Sequence, residues 1–209
     1  MKTNIRNYTD SEILKRVKSL PSYKKLPTGR WIVGVRSSED EPNTYDDKFY
    51  EFEGKKFIRV LSGTTNSGST ILKGGFKKFN RLGSAVLKSD EWYYNFWAWG
   101  FHRGRMTALL QVGSKAKIYR DGNLNDKTEE LGKIYEGYYG INYHTNTYDF
   151  SFNNLKVVRW LVGSWSAGCQ VINERQEYLK QLNWYRNAYI KGTQNFVTYV
   201  LLKEFKPKK

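Results

Sequence analysis

Residues 160–173 read WLVGSWSAGCQVIN and contain Cys169, the only cysteine in a chain of 209 residues. An apolar stretch runs into a Ser-Ala-Gly-Cys turn, and a segment with helical spacing follows it. A lone cysteine cannot form an internal disulfide bond, and its usual role is that of a small buried hydrophobic side chain. The alternative role is a reactive thiol, which needs a neighbouring group to remove its proton. The position of the histidines decides between the two roles.

The chain has two histidines, His102 and His144. His144 ends an apolar, strand-like run at residues 137–146, GYYGINYHTN, and Cys169 follows in the next apolar stretch. This order suits a cysteine nucleophile and its general base, and we expect the imidazole to favour the thiolate near neutral pH. His102 is a candidate wall of the same cleft. The alternative for either histidine is a hydrogen-bonded structural residue.

The motifs INYHTN at 141–146 and SWSAGCQVI at 164–172 resemble the catalytic domain of the L,D-transpeptidase (YkuD-type) family. The family pattern is a strand ending in Ile-x-His-Gly, a variable loop, and then Ser/Thr-x-Gly-Cys. The resemblance extends over residues 115–202, which include segments that look like an early strand and turn, a helix and a closing strand of the family. In this chain Thr145 replaces the glycine that follows the histidine in the family pattern.

The resemblance implies an activity on peptidoglycan. Cys169 would attack a carbonyl of a stem peptide, with His144 as its base, and a thioester would form. An amine acceptor would then give cross-linking, and water would give hydrolysis. A divergent, phage-encoded form that acts on the cell wall is the context we favour.

Residues around the thiol are predicted to complete the site. Gly168 leaves space beside the sulfur, and backbone N–H groups in this turn are candidate donors to an oxyanion. Ser166 is a candidate for positioning substrate or His144, and its alternative is a turn serine. The predicted site comprises Cys169, His144 and Ser166 as catalytic residues, Gly168, Cys169 and Gln170 as backbone donors, and His102, Trp165 and Thr145 at the substrate.

The sequence argues against a metal centre. Two distant histidines and one cysteine lack the close ligand pairs, such as CxxC or HExxH, that zinc sites use. We therefore expect neither a metal nor another cofactor.

The fold class expected is mainly β (α+β), an L,D-transpeptidase-like β-sandwich or barrel with one packed helix near the C-terminus. Residues 1–30 are predicted to form a basic helical extension, and residues 31–209 a single domain. RWIVGVR at 30–36 and the hairpin segment FYEFEGKKFIRVLSG at 49–63 have strand character. The spacing of apolar residues predicts a helix that ends at Gly192.

Three segments are predicted to be loops. The acidic run from Glu39 to Asp47 reads as a solvated loop, because its carboxylates do not follow a calcium-loop pattern. Residues 62–75 are rich in Gly, Ser and Thr, and we expect a surface loop with one short strand. Residues 145–156 are expected to form a mobile lid over the thiol.

The net charge indicates an anionic partner, because the chain has 35 Lys and Arg residues and 20 Asp and Glu residues, a formal net charge of +15. Peptidoglycan or another anionic wall polymer is the predicted partner, and nucleic acid is an alternative for which the chain has no recognised module. No apolar run has the length of a membrane span, and residues 1–21 have no secretory h-region. We expect synthesis in the cytoplasm without a signal peptide and action at the cell wall or in a virion.

The principal rival is a non-catalytic protein. A basic virion or binding module could keep this fold without its chemistry. The sequence leaves the oligomeric state open.

Overall fold

The computed structural model describes residues 7–39, 41–157 and 159–206, and it confirms a mainly β architecture with few helices. The strands are β1 Arg30–Arg36, β2 Asp47–Glu53, β3 Lys56–Thr64, β4 Ser84–Leu87, β5 Glu91–His102, β6 Met106–Gln111, β7 Ala116–Asp121, β8 Tyr135–Gly137, β9 Tyr143–Thr145, β10 Gln170–Ile172 and β11 Val197–Lys203. The helices are α1 Asp10–Lys18, α2 Phe152–Lys156 and α3 Arg175–Ile190, and a π-helical turn spans Ile71–Gly75.

Eight of the strands close into a barrel in the order β1-β11-β5-β6-β9-β10-β3-β2. The β1–β11 and β9–β10 pairs are parallel, and their neighbours in the ring pair antiparallel. Strands β4, β7 and β8 form a separate three-stranded sheet. The two parallel contacts join segments far apart in sequence, so the ring depends on long-range pairing.

Strand β1 is apolar along its length because both of its faces are covered. Ile32 belongs to the core cluster that also contains residues of α3, while Trp31 and Val33 belong to a second cluster that includes α1. Helix α1 begins with a capping box between Thr9 and Glu12 and buries Ile13 and Val17. Burial of each of these two side chains contributes about 1.5–3 kcal/mol. The predicted N-terminal helix is therefore present and packed against the barrel.

Helix α3 is the packed helix predicted near the C-terminus. Its Tyr178, Leu182 and Tyr185 are fully buried in the same cluster as Ile32. The helix is followed by Gly192 at φ +67°, where a residue without a side chain is favoured, as the sequence indicated.

The segment 62–75 differs from the sequence-based expectation. Strand β3 continues to Thr64, and the apolar residues that looked like a short strand form the π-helical turn, with Leu72 buried. At Gly68 a Cβ atom would lie 2.0 Å from the carbonyl oxygen of Gly163. Two backbone segments cross here at a distance that β-branched strand residues could not tolerate.

The acidic run is not solvated throughout. Asp46 and Asp47 are buried, and the Asp47 carboxylate accepts hydrogen bonds from the backbone N–H groups of Ser37 at 2.7 Å and Thr65 at 2.6 Å. Asp47 therefore ties the end of β1 to the end of β3. A charged residue in a sequence pattern does not reveal that backbone donors surround it. Asp40 lies outside the described residues.

Candidate functional site

Strands β9 and β10 bring the segments that carry His144 and Cys169 side by side in the barrel wall. His144 lies opposite Val171 in the parallel ladder, and Cys169 is two residues before Val171. Cys169 is the residue before β10, and it packs against the cluster that contains Val171, the residue opposite His144. The flanking Tyr143 and Ile172 belong to the core cluster that contains residues of α3.

The imidazole of His144 is fixed in orientation by a backbone carbonyl. His144 is buried, and its Nδ1 lies 2.7 Å from the carbonyl oxygen of Thr145. A carbonyl can only accept, so Nδ1 carries the proton and Nε2 is the free base nitrogen. Nε2 has no hydrogen-bond partner among the described residues. Nε2 is thus a buried acceptor that is not hydrogen-bonded to the Cys169 thiol, which donates to Gly140 instead.

The pKa of His144 is lowered to about 3, chiefly because burial disfavours the charged ring, and next because His102 and Arg103 lie near it. The two histidine rings are stacked, with centroids 4.4 Å apart and planes inclined by 17°. His102 in turn lies with its Nδ1 3.0 Å from the side-chain amide nitrogen of Asn142. His144 is therefore neutral at pH 7.

Cys169 is half-buried directly before β10, and its Sγ donates to the carbonyl oxygen of Gly140 at 3.3 Å. Burial raises the pKa of the thiol to about 11, while a hydrogen bond from the Asn142 backbone and the charge of Arg103 lower it by smaller amounts. The resting pair is therefore a neutral thiol and a neutral imidazole. The expectation that His144 keeps Cys169 as a thiolate is not supported.

The turn before Cys169 is rigid and densely hydrogen-bonded. Ser166 is fully buried, and its hydroxyl donates to the carbonyl of Cys169 at 2.8 Å and accepts from the N–H of Gly168 at 3.2 Å. Gly168 adopts φ +128°, and a Cβ atom there would lie 2.5 Å from the Ala85 carbonyl oxygen on β4. Ser166 thus acts on the turn, and its hydroxyl is not free to position a substrate.

The three predicted oxyanion donors differ in availability. The N–H of Gly168 donates to Ser166, and the N–H of Gln170 donates to the carbonyl of Asn142 at 2.8 Å. The N–H of Cys169 has no acceptor within the part of the chain that the structure describes. Two of the three predicted donors are therefore already engaged. The Gln170 side chain is buried, where it accepts from the Tyr199 hydroxyl at 2.7 Å.

The residues predicted to contact substrate also differ in where they lie. Thr145 is fully buried and its hydroxyl donates to the carbonyl of Ile172 at 2.7 Å, so its contribution is the carbonyl that orients His144. Trp165 and Cys169 both pack against the small cluster of Tyr45, Val162 and Val171. Of the residues assigned to substrate from the sequence, His102 stacks on His144, Trp165 shares a cluster with Cys169, and the Thr145 hydroxyl is bound to the Ile172 carbonyl.

Cationic and aromatic side chains gather around Trp165, the one member of this group that the sequence had assigned to the substrate. The Tyr148 and Trp165 rings lie 5.1 Å apart, the Arg105 guanidinium is 5.0 Å from the Tyr148 ring centre, and that of Arg159 is 5.9 Å from the Trp165 ring centre. Arg103 precedes Arg105 in the β5–β6 turn. These residues come from three separate segments, and the basic, aromatic run WGFHRGRM was the available signal.

The predicted lid, residues 145–156, is structured. Its start is buried beside His144 and its end is helix α2. The guanidinium of Arg175, at the start of α3, donates from Nε to the Asn146 side chain at 2.9 Å and from Nη1 to the Asn154 side chain at 2.5 Å. Tyr148 is the part of this segment that reaches the cluster around Cys169.

No group of three or more His, Cys, Asp or Glu side chains that could hold a metal occurs among the described residues. The helices in these residues include none long and apolar enough to cross a membrane. Comparisons with models of protein families, with curated proteins and with solved structures gave no match to this chain. The function is therefore argued from the site itself.

The neutral state of the Cys169 thiol beside a neutral His144 predicts slow alkylation of the thiol. A thiol pKa of about 11 lies about two units above the ordinary value, so iodoacetamide should react about 100-fold more slowly with Cys169 at pH 7 than with a free cysteine. The rate should rise about tenfold per pH unit until about pH 11. His144→Asn should leave this profile unchanged, because a neutral imidazole does not stabilise the thiolate.

Mass spectrometry of the alkylated protein measures this rate, and the unfolded protein in urea is the control for an accessible thiol. A step in the rate between pH 5 and pH 7 that disappears in His144→Asn would show a thiolate–imidazolium pair and contradict the neutral pair.

Proposed function

We propose that this protein is a cysteine-dependent acyl-transfer enzyme of the L,D-transpeptidase type that acts on peptidoglycan stem peptides. The observation that carries the proposal is that His144 lies on β9 and Cys169 directly precedes β10, its parallel neighbour, while Nε2 of His144 has no hydrogen-bond partner among the described residues. The identity of the substrate rests on the resemblance of INYHTN and SWSAGCQVI to that family. The high net charge suits an anionic wall polymer.

The proposed reaction begins as the thiol sulfur attacks a stem-peptide carbonyl while His144 Nε2 takes its proton. The carbonyl oxygen becomes an oxyanion at the N–H of Cys169. A donor of this kind is worth about 2.7–4 kcal/mol in well-studied acyl-transfer sites. The C–N bond then breaks, the imidazolium gives its proton to the leaving amine, and a thioester remains on Cys169. An acceptor amine or water attacks the thioester and releases the sulfur.

Because both groups are neutral at rest, proton transfer accompanies the attack. A thiolate–imidazolium ion pair would require a protonated His144. Burial disfavours this charged form and lowers the pKa of His144 to about 3. The proton therefore moves only once the sulfur begins to bond to the carbonyl carbon. This is general-base catalysis, in which the thiol is activated by the bound substrate.

The second candidate function is a basic binding or virion module without catalysis. The observation that favours it is the thiol itself, whose pKa is raised to about 11 and whose hydrogen is given to the Gly140 carbonyl. A thiol in this state is inert when no substrate is bound. The two candidates make different predictions for substrate turnover and similar ones for reactivity of the free protein.

The test is incubation of the protein with purified muropeptides of defined stem length, followed by mass spectrometry of the products. We expect shortened stems or cross-linked dimers, and Cys169→Ser protein as the matched control should give neither. Muropeptides that stay intact with folded wild-type protein, over a range of stem lengths and added amine acceptors, would support the binding module instead.

A further inference from the structure

A cavity of about 680 Å³ opens on the side of the barrel away from Cys169. It is lined by residues 24–30, the middle of β5, the start of β11 and the turn after α3. In the ring, three strands separate β11 from β10 in either direction, so the cavity and the thiol lie on opposite sides. The volume is within the roughly 300–1,000 Å³ range of ligand sites. The chemistry proposed at Cys169 does not use this cavity.

The walls of the cavity are fixed by specific hydrogen bonds. The Tyr94 hydroxyl on β5 accepts from the backbone N–H groups of Lys24 at 2.7 Å and Lys25 at 3.2 Å. The Gln194 side chain, after α3, accepts from the N–H of Arg30 at 2.8 Å and donates to its carbonyl at 2.6 Å. A cavity held in this way is preformed, as ligand sites commonly are.

The electrostatics of the cavity select for anions. Lys24 and Lys25 are exposed at its edge, and neither has a carboxylate within ion-pair distance among the residues that the structure describes. Arg30 forms the wall, stacked 4.0 Å from the Trp184 ring centre and 3.6 Å from the Glu53 carboxylate. No carboxylate side chain is among the lining residues. The Lys25 ammonium forms no ion pair among the described residues, and that of Lys24 lies 5.8 Å from the Tyr94 ring centre, a weak cation–π contact that a ligand anion can replace.

The remaining lining favours rings that carry hydroxyl groups. One face of the Tyr94 ring is covered by Trp92, with centroids 5.0 Å apart and an angle of 9°, and the Lys24 ammonium lies over the ring, whereas the Phe196 side chain is 42% exposed. Asn95, exposed in the same lining, adds a polar amide. An exposed aromatic side chain beside amide and ammonium groups matches a saccharide with acidic substituents. A nucleic acid would need a longer cationic track along its backbone.

We propose that this cavity binds a short segment of an anionic glycan, a saccharide chain bearing carboxylate or phosphate groups. Its acidic groups contact Lys24 and Lys25, and one of its rings packs on Phe196. Such a site keeps the protein on a polymer while the opposite side of the barrel stays free. The proposal is independent of the reaction at Cys169, since it concerns binding alone.

The test is isothermal titration of wild-type protein at 150 mM salt with three probes: oligogalacturonate, a phosphomannan oligosaccharide and a single-stranded dT oligonucleotide. The double variant Lys24→Gln/Lys25→Gln should weaken glycan binding about tenfold or more. The matched control is Lys55→Gln/Lys56→Gln, which removes the same charge from exposed lysines at the β2–β3 turn and should change the affinity by less than about twofold. Comparison of the two glycans tells carboxylate from phosphate recognition.

A third variant tests the cavity wall. Tyr94→Phe keeps the ring and the net charge but removes the hydroxyl that holds residues 24 and 25, so glycan binding should weaken while the lysines remain. Three results would overturn the proposal. The first is an equal loss of glycan affinity in the two double-lysine variants, and the second is a failure of both glycans to bind. The third is tighter binding of the dT oligonucleotide than of the glycans, with the same dependence on Lys24 and Lys25.

Discussion

Cys169→Ala should reduce the turnover of muropeptides by at least about 10³-fold, to the background rate, because no other residue can form the thioester. The same change should have a small effect on stability. The side chain is half-buried, and its loss removes one sulfur that packs against the cluster of Tyr45, Val162 and Val171. That is worth about 1 kcal/mol, or a fall of about 2–4 °C in the melting temperature.

Ser166→Ala is the control for this variant, because it changes the same turn. Its hydroxyl serves both Gly168 and Cys169, and removal leaves buried backbone groups without partners at a cost of about 1–3 kcal/mol. We expect Ser166→Ala to lower stability more than Cys169→Ala and activity less. Wild-type activity in Cys169→Ala protein would show that the thiol is only part of the packing.

His144→Asn should reduce kcat by about 10²–10⁴-fold, the usual contribution of a general base. Asparagine can still donate to the Thr145 carbonyl from the position of Nδ1, while nothing replaces Nε2. The fold should therefore survive the substitution, and circular dichroism and thermal melting check this. Wild-type activity should persist as the pH falls to about 4, since a base with a pKa of about 3 stays unprotonated there.

His102→Gln separates the two histidines. His102 stacks on His144 and accepts from the Asn142 amide, and it has no described contact with the sulfur. Its replacement should lower kcat by less than about tenfold, as expected for a residue that acts through another. A larger loss of kcat in His102→Gln than in His144→Asn would show that His102, and not His144, is the base.

The sequence predicts the structure of this chain well where that structure depends on residues close together in the chain. The Thr9–Glu12 capping box, the helix before Gly192 and the run from Arg30 to Arg36 each depend on nearby residues. Closure of the barrel depends instead on β1 pairing with β11, near the other end of the chain. Hydrophobic patterning carries no information about such a partner.

The same distinction applies to the site. The order of His144 and Cys169 indicated a pair, because each ends or precedes a recognisable apolar run. The Thr145 carbonyl that orients the imidazole and the Gly140 carbonyl that binds the thiol are backbone groups without a sequence signature. The depressed pKa of His144 also follows from burial, which only the folded chain reveals.

The measurement that tests the central claim most directly is peptide mapping of protein quenched with acid during reaction with muropeptides. We predict a stem-peptide acyl group on Cys169, released by hydroxylamine as a thioester would be. An acyl group on another residue, or turnover that continues at the wild-type rate after Cys169 has been blocked by alkylation, would contradict the proposal that this thiol is the nucleophile.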